Sequence, residues 1–191
     1  MKFYAIADIG SYTQAVKDLA DQIKEDAKKS NRCILNIVGD NFYPDGIEYD
    51  ERKAKEQWNT FLQVFPAYPM TIHPVMGNHD YQGDLEPQIS SKFWDFPSLY
   101  YFKKFGKNIG CWYLDSQILA PECPGEESND YQHMTRLVKA KVCYGKATKN
   151  LCINNGDYER EKEIHINWLK KSLRENKDLK YKFFFGHYPI F

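Results

Sequence analysis

The first 80 residues alternate short apolar runs with longer amphipathic segments, and this alternation restricts the fold more than any other feature of the sequence. The apolar runs are short and hold many β-forming residues, so we predict strands over residues 2–7, 33–38 and 70–76. Between them, apolar side chains recur at helical spacing over residues 13–29 and 51–64. Strands and helices in this order predict βαβ units and a largely parallel sheet.

The rest of the chain predicts two more strands, over residues 109–114 and 181–185, and a helix over residues 161–175. Pro74 places the third strand at a sheet edge or near its own end. Residues 121–160 hold little periodicity, and we expect a long loop there, of the kind that forms lids or disordered segments. No repeat or linker indicates a second domain. The residues of the last helix that we expect to face inward are Ile166, Trp168, Leu169 and Leu173.

The charge balance excludes several classes of function. Lys plus Arg and Asp plus Glu each total 26, so the formal net charge is zero, which is unlike a nucleic-acid binder or a polybasic membrane-surface protein. No apolar run approaches the roughly 18 residues of a membrane span. The first residues lack the length and cleavage site of a secretory signal, and the compartment stays open.

The five cysteines include no CxxC pair, which disfavours a zinc ribbon or a thioredoxin-like site. Cys123, Cys143 and Cys152 share one polar stretch. They either form a disulfide there or remain free thiols, and the odd total leaves one thiol over in any case.

Polar motifs follow four of the predicted strands directly. Their sequences are DIG at 8–10, GDNFY at 39–43, GNHD at 77–80 and GHYP at 186–189. Ligands of open α/β sheets bind beyond the carboxyl ends of the strands. Asp, Asn, His and Tyr together offer oxygen and nitrogen donors that suit iron, manganese or zinc rather than a thiolate site. We attribute the neighbouring glycines to sharp backbone turns.

Each motif has a simpler explanation when it is taken alone. Asp8 precedes a predicted helix and could cap it, and residues 39–46 are rich in turn-forming types. A single histidine is more often structural, as we expect for His73, His133 and His165. Four such motifs in order, however, favour a metal site over four coincidences.

The ordered motifs resemble the metallophosphoesterase (calcineurin-like) superfamily, and within it the purple acid phosphatases of the small, tartrate-resistant type. The resemblance runs from residue 3 to residue 191 and includes the strand end at residues 114–116. A general member carries DxH and GDxxD; here Gly10 stands in place of the histidine, and Tyr43 supplies a phenolate. The implied fold is α/β: a β-sandwich of mixed sheets flanked by helices.

The resemblance implies a dinuclear metal centre, an Fe(III) ion beside a divalent metal. Asp8 and Tyr43 would bind the ferric ion, and Asp40 would bridge the two metals. Asn78 and His187 would bind the divalent ion, which is iron, zinc or manganese.

The resemblance also implies a reaction, the hydrolysis of phosphate monoesters by attack of a metal-bound hydroxide. His79 would be the catalytic residue, because it would contact the phosphate and aid departure of the leaving group. The implied substrate is a small phosphomonoester or a phosphoprotein, and the implied location is secreted, lysosomal or vesicular. Tyr81 stands where the tartrate-resistant type often has histidine, which would remove one phosphate contact.

The family pattern has a fifth motif, GHxH, which gives one histidine to each metal and which these residues lack. We therefore expect residues 1–191 to be the N-terminal part of a metallophosphoesterase domain, truncated at its C-terminus. Alone, this part should bind metal weakly and hydrolyse little.

Two other functions fit the same fold. Some relatives have lost metal ligands and serve as scaffold or anchor proteins, as in the motor complex of apicomplexan parasites. Here the ligand positions up to residue 191 are intact, which favours the enzyme. A manganese-dependent phosphodiesterase is disfavoured by Gly10 and Tyr43.

Overall fold

The first three strands form the predicted parallel sheet. The computed structural model describes residues 1–30, 32–66, 69–119 and 158–188. Three of its strands pair in parallel and in chain order: β1 (Lys2–Ile6), β2 (Cys33–Val38) and β3 (Met70–Val75). Pro74 lies one residue before the end of β3, in an edge strand of this sheet as described, where the missing proline N–H is tolerated.

Helices α1 (Gln14–Lys28) and α2 (Glu51–Val64) connect these strands, as predicted. The Thr13 side chain accepts a hydrogen bond from the Val16 N–H, and the Asp50 side chain accepts one from the Lys53 N–H. Each helix therefore begins at a capping side chain. Asp8 does not cap α1 and remains available for another role.

The second sheet is mixed. Its strands are β4 (Tyr101–Phe105), β5 (Ile109–Tyr113) and β6 (Tyr181–Phe185). β4 and β5 are antiparallel, whereas β5 and β6 are parallel. The sequence did not predict β4, because its YFKKF pattern has two adjacent lysines and no clean alternation. It also did not predict the short helices α3 (Glu86–Ile89) and α4 (Ser116–Leu119). The expected α/β class is confirmed.

Aromatic side chains of the second sheet pack on the first sheet, and their polar ends find partners there. The Tyr113 hydroxyl donates to Asn36 Oδ1 over 2.6 Å, and the Tyr101 hydroxyl donates to the Pro74 carbonyl over 2.7 Å. The two tyrosine rings stack with their centroids 4.3 Å apart. His73 lies in the same layer, where burial lowers its pKa to about 4.

The last helix, α5 (Tyr158–Glu175), begins before its predicted start. The predicted loop over 121–160 is therefore wrong for its final three residues, and its remainder lies outside the described residues together with Cys123, Cys143, Cys152 and His133. No helix in the described ranges is long and apolar enough to cross a bilayer.

The inward face of α5 is as predicted at Trp168, Leu169 and Leu173, which are partly buried and pack against a core cluster. The most buried positions of the helix, however, are polar: Glu161, His165 and Ser172. The Ser172 hydroxyl accepts a hydrogen bond from the indole of Trp112 over 2.9 Å. His165 is 0% exposed and stacks on Tyr100 with ring centroids 3.9 Å apart. The helix therefore packs through polar and aromatic contacts that its apolar spacing does not reveal.

We predict that His165 makes the fold sensitive to acid. Burial lowers its pKa from 6.5 to about 3, so its contribution is fully present above pH 6.5 and is lost as the pH falls towards 3. Between pH 8 and pH 5 the loss should be about 2 kcal/mol. Denaturant unfolding of the metal-free protein at both pH values measures this loss. In His165→Phe the free energy of unfolding should fall by about 2 kcal/mol less between pH 8 and pH 5 than in the unsubstituted protein.

The control for this measurement is Ile164→Ala on the exposed side of α5, which removes no titratable group. It should change the free energy of unfolding equally at both pH values. An equal pH dependence in His165→Phe and the unsubstituted protein would contradict the prediction.

Candidate metal centre

The four polar motifs meet at one edge of the structure, as the strand ends predict. Asp8 follows β1, Asp40 follows β2, Asn78 follows β3 and His187 follows β6. One ligand atom from each of Asp8, Asp40 and His187 lies within 4.8 Å of the others. The predicted site residues are thus brought together, although their roles as ligands stay predictions.

The first half of the cluster is an oxygen site. The Tyr43 hydroxyl lies 2.6 Å from Asp40 Oδ2 and 3.2 Å from Asp8 Oδ1. The single hydroxyl hydrogen can be fully donated to only one of the two carboxylates at a time. Burial, with the hydrogen bond to Asp40, raises the pKa of Tyr43 above its ordinary value. A phenolate there needs a cation between these oxygens.

The second half combines oxygen and nitrogen. His187 Nδ1 lies 2.9 Å from the Val38 carbonyl oxygen, which can only accept, so Nδ1 carries the proton. In the neutral ring, Nε2 then offers a lone pair 3.1 Å from Asn78 Oδ1 and 3.4 Å from Asp40 Oδ1. In that form of the ring, three lone-pair atoms converge without a shared hydrogen. This donor set fits a divalent cation, and the Val38 contact orients the ring for it.

His79 lies beside the cluster rather than in it. Its Nδ1 contacts the Pro44 carbonyl oxygen, which assigns the proton to Nδ1 and turns Nε2 towards the centre. Nε2 lies 3.9 Å from Asp40 Oδ2, and the ring packs edge-on against Tyr43 with centroids 4.6 Å apart. The ring remains 35% exposed, so a substrate atom can reach it.

The two acidic turns have an unusual backbone. Asp8 and Asp40 have φ values of 58° and 53°. These values lie in the left-handed region, which residues other than Gly, Asn and Asp rarely occupy. The Asp8 N–H donates to the Gly39 carbonyl, and the Gly10 N–H donates to the Asp40 carbonyl. Each turn therefore holds the other in a conformation that aims its carboxylate at the cluster.

Close approach, rather than a sharp turn, explains two of the motif glycines. Among the four motif glycines, Gly10, Gly39, Gly77 and Gly186, only Gly39 has a positive φ, 85°. A Cβ on Gly10 would lie 2.5 Å from the Tyr43 nitrogen, and a Cβ on Gly77 would lie 2.2 Å from Asp40 Oδ1. The attribution to a turn is confirmed at Gly39 and is wrong at Gly77, where close packing requires the glycine. The contact at Gly10 also means that a histidine at this position would require the 42–43 backbone to move.

The Asp80 carboxylate holds together two of the turns that carry the cluster, a role that the sequence did not predict. Its carboxylate is 0% exposed and accepts hydrogen bonds from the backbone N–H groups of Gly77, Asn41 and Phe42 and from the Gln88 amide. Burial raises its pKa to about 6. The sequence signal for this role was the position of Asp80 in the GNHD motif. Its hydrogen-bond donors could not be predicted, because they come from two turns that are far apart in sequence.

Tyr81 and Asp115 lie in the core. The Tyr81 hydroxyl contacts Asp115 Oδ2, and the two side chains are 1% and 0% exposed. Asp115 also accepts hydrogen bonds from the N–H groups of Gln117 and Ile118, which caps α4. The strand end at residues 114–116 therefore has a structural contact, and Tyr81 points away from solvent.

Comparison with known proteins agrees with this geometry. A model of the calcineurin-like phosphoesterase family matches residues 1–191. The chain is 26% identical over 208 residues to tartrate-resistant acid phosphatase type 5 of Sus scrofa, covering 100% of this chain and 54% of that protein. It is 33% identical over 82 residues to purple acid phosphatase 17 of Arabidopsis thaliana, covering 43% of this chain and 24% of that protein.

A solved structure shows the same fold. It is described as GAP50, the anchor in the inner membrane complex of Plasmodium, and matches with a TM-score of 0.65 at 18% identity. The match covers 99% of this chain and 55% of that one. The chain therefore spans about half the length of the tartrate-resistant phosphatases and of this structural neighbour.

We predict that Asp80→Asn weakens metal binding. The amide would point N–H groups at backbone donors, so the two turns would separate. Loss of such a supporting contact typically costs about 10- to 100-fold in metal affinity. Titration of Zn²⁺ into the metal-free protein measures it, with circular dichroism confirming that the variant folds. Asp45→Asn, at an exposed acid nearby, should stay within about twofold, and equal affinities in all three proteins would refute a supporting role.

Proposed function

The chain belongs to the calcineurin-like phosphoesterase family, and on this premise we propose that it is a dinuclear-metal acid phosphatase that hydrolyses phosphate monoesters. The family generally uses a dinuclear metal centre, and the chain has acid phosphatases among its relatives. The observation that carries the proposal is the contact of the Tyr43 hydroxyl with both Asp8 and Asp40, beside a glycine where a histidine would require the 42–43 backbone to move.

The donor chemistry supports a ferric ion beside a divalent one. Asp8, Asp40 and Tyr43 offer hard, anionic oxygens that suit Fe(III), whereas Asn78 and His187 offer neutral donors that suit divalent iron, zinc or manganese. Asp40 has two carboxylate oxygens, one near each half of the cluster, and can serve both ions. Each ion then has three protein donors within the described ranges, so we expect weak metal binding and low turnover from these residues alone.

Metal ions held here would supply Lewis-acid activation of water and neutralise the charge of the phosphate. This accounts for a phosphate substrate in a chain whose formal net charge is zero. A small phosphomonoester or a phosphoprotein is the proposed substrate.

His79 would donate a proton to the leaving group. Because Nδ1 is held at the Pro44 carbonyl, Nε2 carries a proton only in the imidazolium form. The leaving oxygen can take this proton as its bond to phosphorus breaks.

A scaffold function on the same fold is the alternative, and the similarity to an anchor protein is the observation in its favour. That similarity concerns the fold alone, whereas the cluster retains every donor expected up to residue 188. A colourless protein that takes up no metal would support the scaffold.

We predict that Tyr43→Phe abolishes the visible absorption of the iron-loaded protein. Charge transfer from phenolate to Fe(III) causes such a band, and Asp8 and Asp40 would still hold some iron. Absorption spectra combined with iron analysis measure both quantities. Tyr181→Phe, at an exposed tyrosine on β6, should keep the band. A band that survives in Tyr43→Phe would show that another group binds the ferric ion.

We also predict that His79→Asn slows poor leaving groups more than good ones, because only a poor leaving group needs protonation. The kcat for an alkyl phosphate should fall about 100-fold or more, and that for p-nitrophenyl phosphate by much less. Steady-state kinetics with both substrates in metal-supplemented buffer give the comparison. Equal losses for both substrates would rule out proton donation by His79.

A further inference from the structure

A groove of about 430 Å³ lies beside the candidate metal centre, between the turn after β2 and helix α2. Tyr43 belongs to both: it lines the groove, and its hydroxyl lies 2.6 Å from Asp40 Oδ2. A substrate whose phosphate occupies the centre can therefore extend its organic part into the groove.

The walls of the groove are fixed by hydrogen bonds. The Gln57 amide donates to the Gly46 carbonyl over 3.0 Å and accepts from the Glu48 N–H over 2.9 Å, which ties α2 to the turn. The Tyr12 hydroxyl donates to the Asn41 carbonyl over 2.9 Å, which presents its ring as an aromatic wall. The groove is thus built before any ligand enters.

The groove lining carries more negative than positive side chains. Lys53 Nζ lies 3.5 Å from Glu48 Oε1, and both side chains are about half exposed, so these two charges largely offset each other. Glu56 lies one turn after Lys53 on the same face of α2. The lining holds two glutamates, Glu48 and Glu56, against one lysine, Lys53, which leaves the groove one negative charge in excess.

We propose that this groove binds the leaving group of the phosphoester and that Glu56 selects a leaving group with an alkylammonium charge, as in phosphoethanolamine. The inference rests on the proposed phosphatase function. The carboxylates repel the phosphate dianion from the groove, so the organic part of the substrate enters it instead. The Tyr12 and Tyr43 rings add to the attraction, because aromatic rings bind ammonium groups.

Three substrates of similar size test the selection. The leaving group is cationic in phosphoethanolamine, neutral in glycerol 2-phosphate and anionic in phosphoglycolate. At low salt, Glu56→Gln should lower the ratio of kcat/KM for phosphoethanolamine over phosphoglycolate about fivefold, the effect of one exposed charge. Glu56→Lys should lower it further, and high salt should shrink the difference. Glu51→Gln, an exposed glutamate on α2 outside the groove lining, should leave the ratio unchanged.

Binding of 2-aminoethylphosphonate, which cannot be hydrolysed at a phosphoester bond, gives a readout without turnover. Calorimetry should show its Kd rising by the same factor in Glu56→Gln. If no substrate is hydrolysed but this shift occurs, the phosphatase proposal fails and the groove assignment stands. If the substrates are hydrolysed but Glu56→Gln changes neither the kcat/KM ratio nor the Kd, the groove assignment is overturned.

Discussion

The buried Asp80 carboxylate is the interaction on which the rest of the candidate site depends. It is 0% exposed, so its charge requires hydrogen-bond donors. The donors are backbone N–H groups of the turn after β2 and of the turn after β3, together with the Gln88 amide. Neither turn can move without leaving a buried polar group unpaired. Asp40 and Asn78, one in each turn, consequently keep a fixed separation.

Tight packing also fixes the backbone that carries the candidate ligands. Two backbone N–H groups of the Asp8 turn donate to carbonyls of the Asp40 turn, and both aspartates adopt left-handed conformations. Such conformations cost about 1–3 kcal/mol each for residues other than glycine, so the surrounding contacts must enforce them. Gly10 has no room for a side chain, and the Tyr43 hydroxyl approaches both aspartates from the opposite turn.

Most of the fold could be predicted from periodicity alone. The strand over 33–38 and the helix over 51–64 have the predicted bounds, because a short apolar run and a helical apolar stripe are local signals. β4 was missed since its lysines obscure the alternation and its pairing with β5 is a tertiary contact. The polar buried face of α5 was missed for the same reason: Tyr100 and Trp112 cover it from elsewhere in the chain.

The sequence by itself determined the strand ends and the donor types placed there, because strand, glycine and polar motif are contiguous along the chain. Only the tertiary structure decided how these donors meet. Three sets of contacts join residues that are distant in sequence. They are the hydrogen bonds from two turns to the Asp80 carboxylate, the contact of His187 with the Val38 carbonyl and the contact of His79 with the Pro44 carbonyl. A hydrogen bond depends on distance in space, and the spacing of residues along the chain contains no record of it.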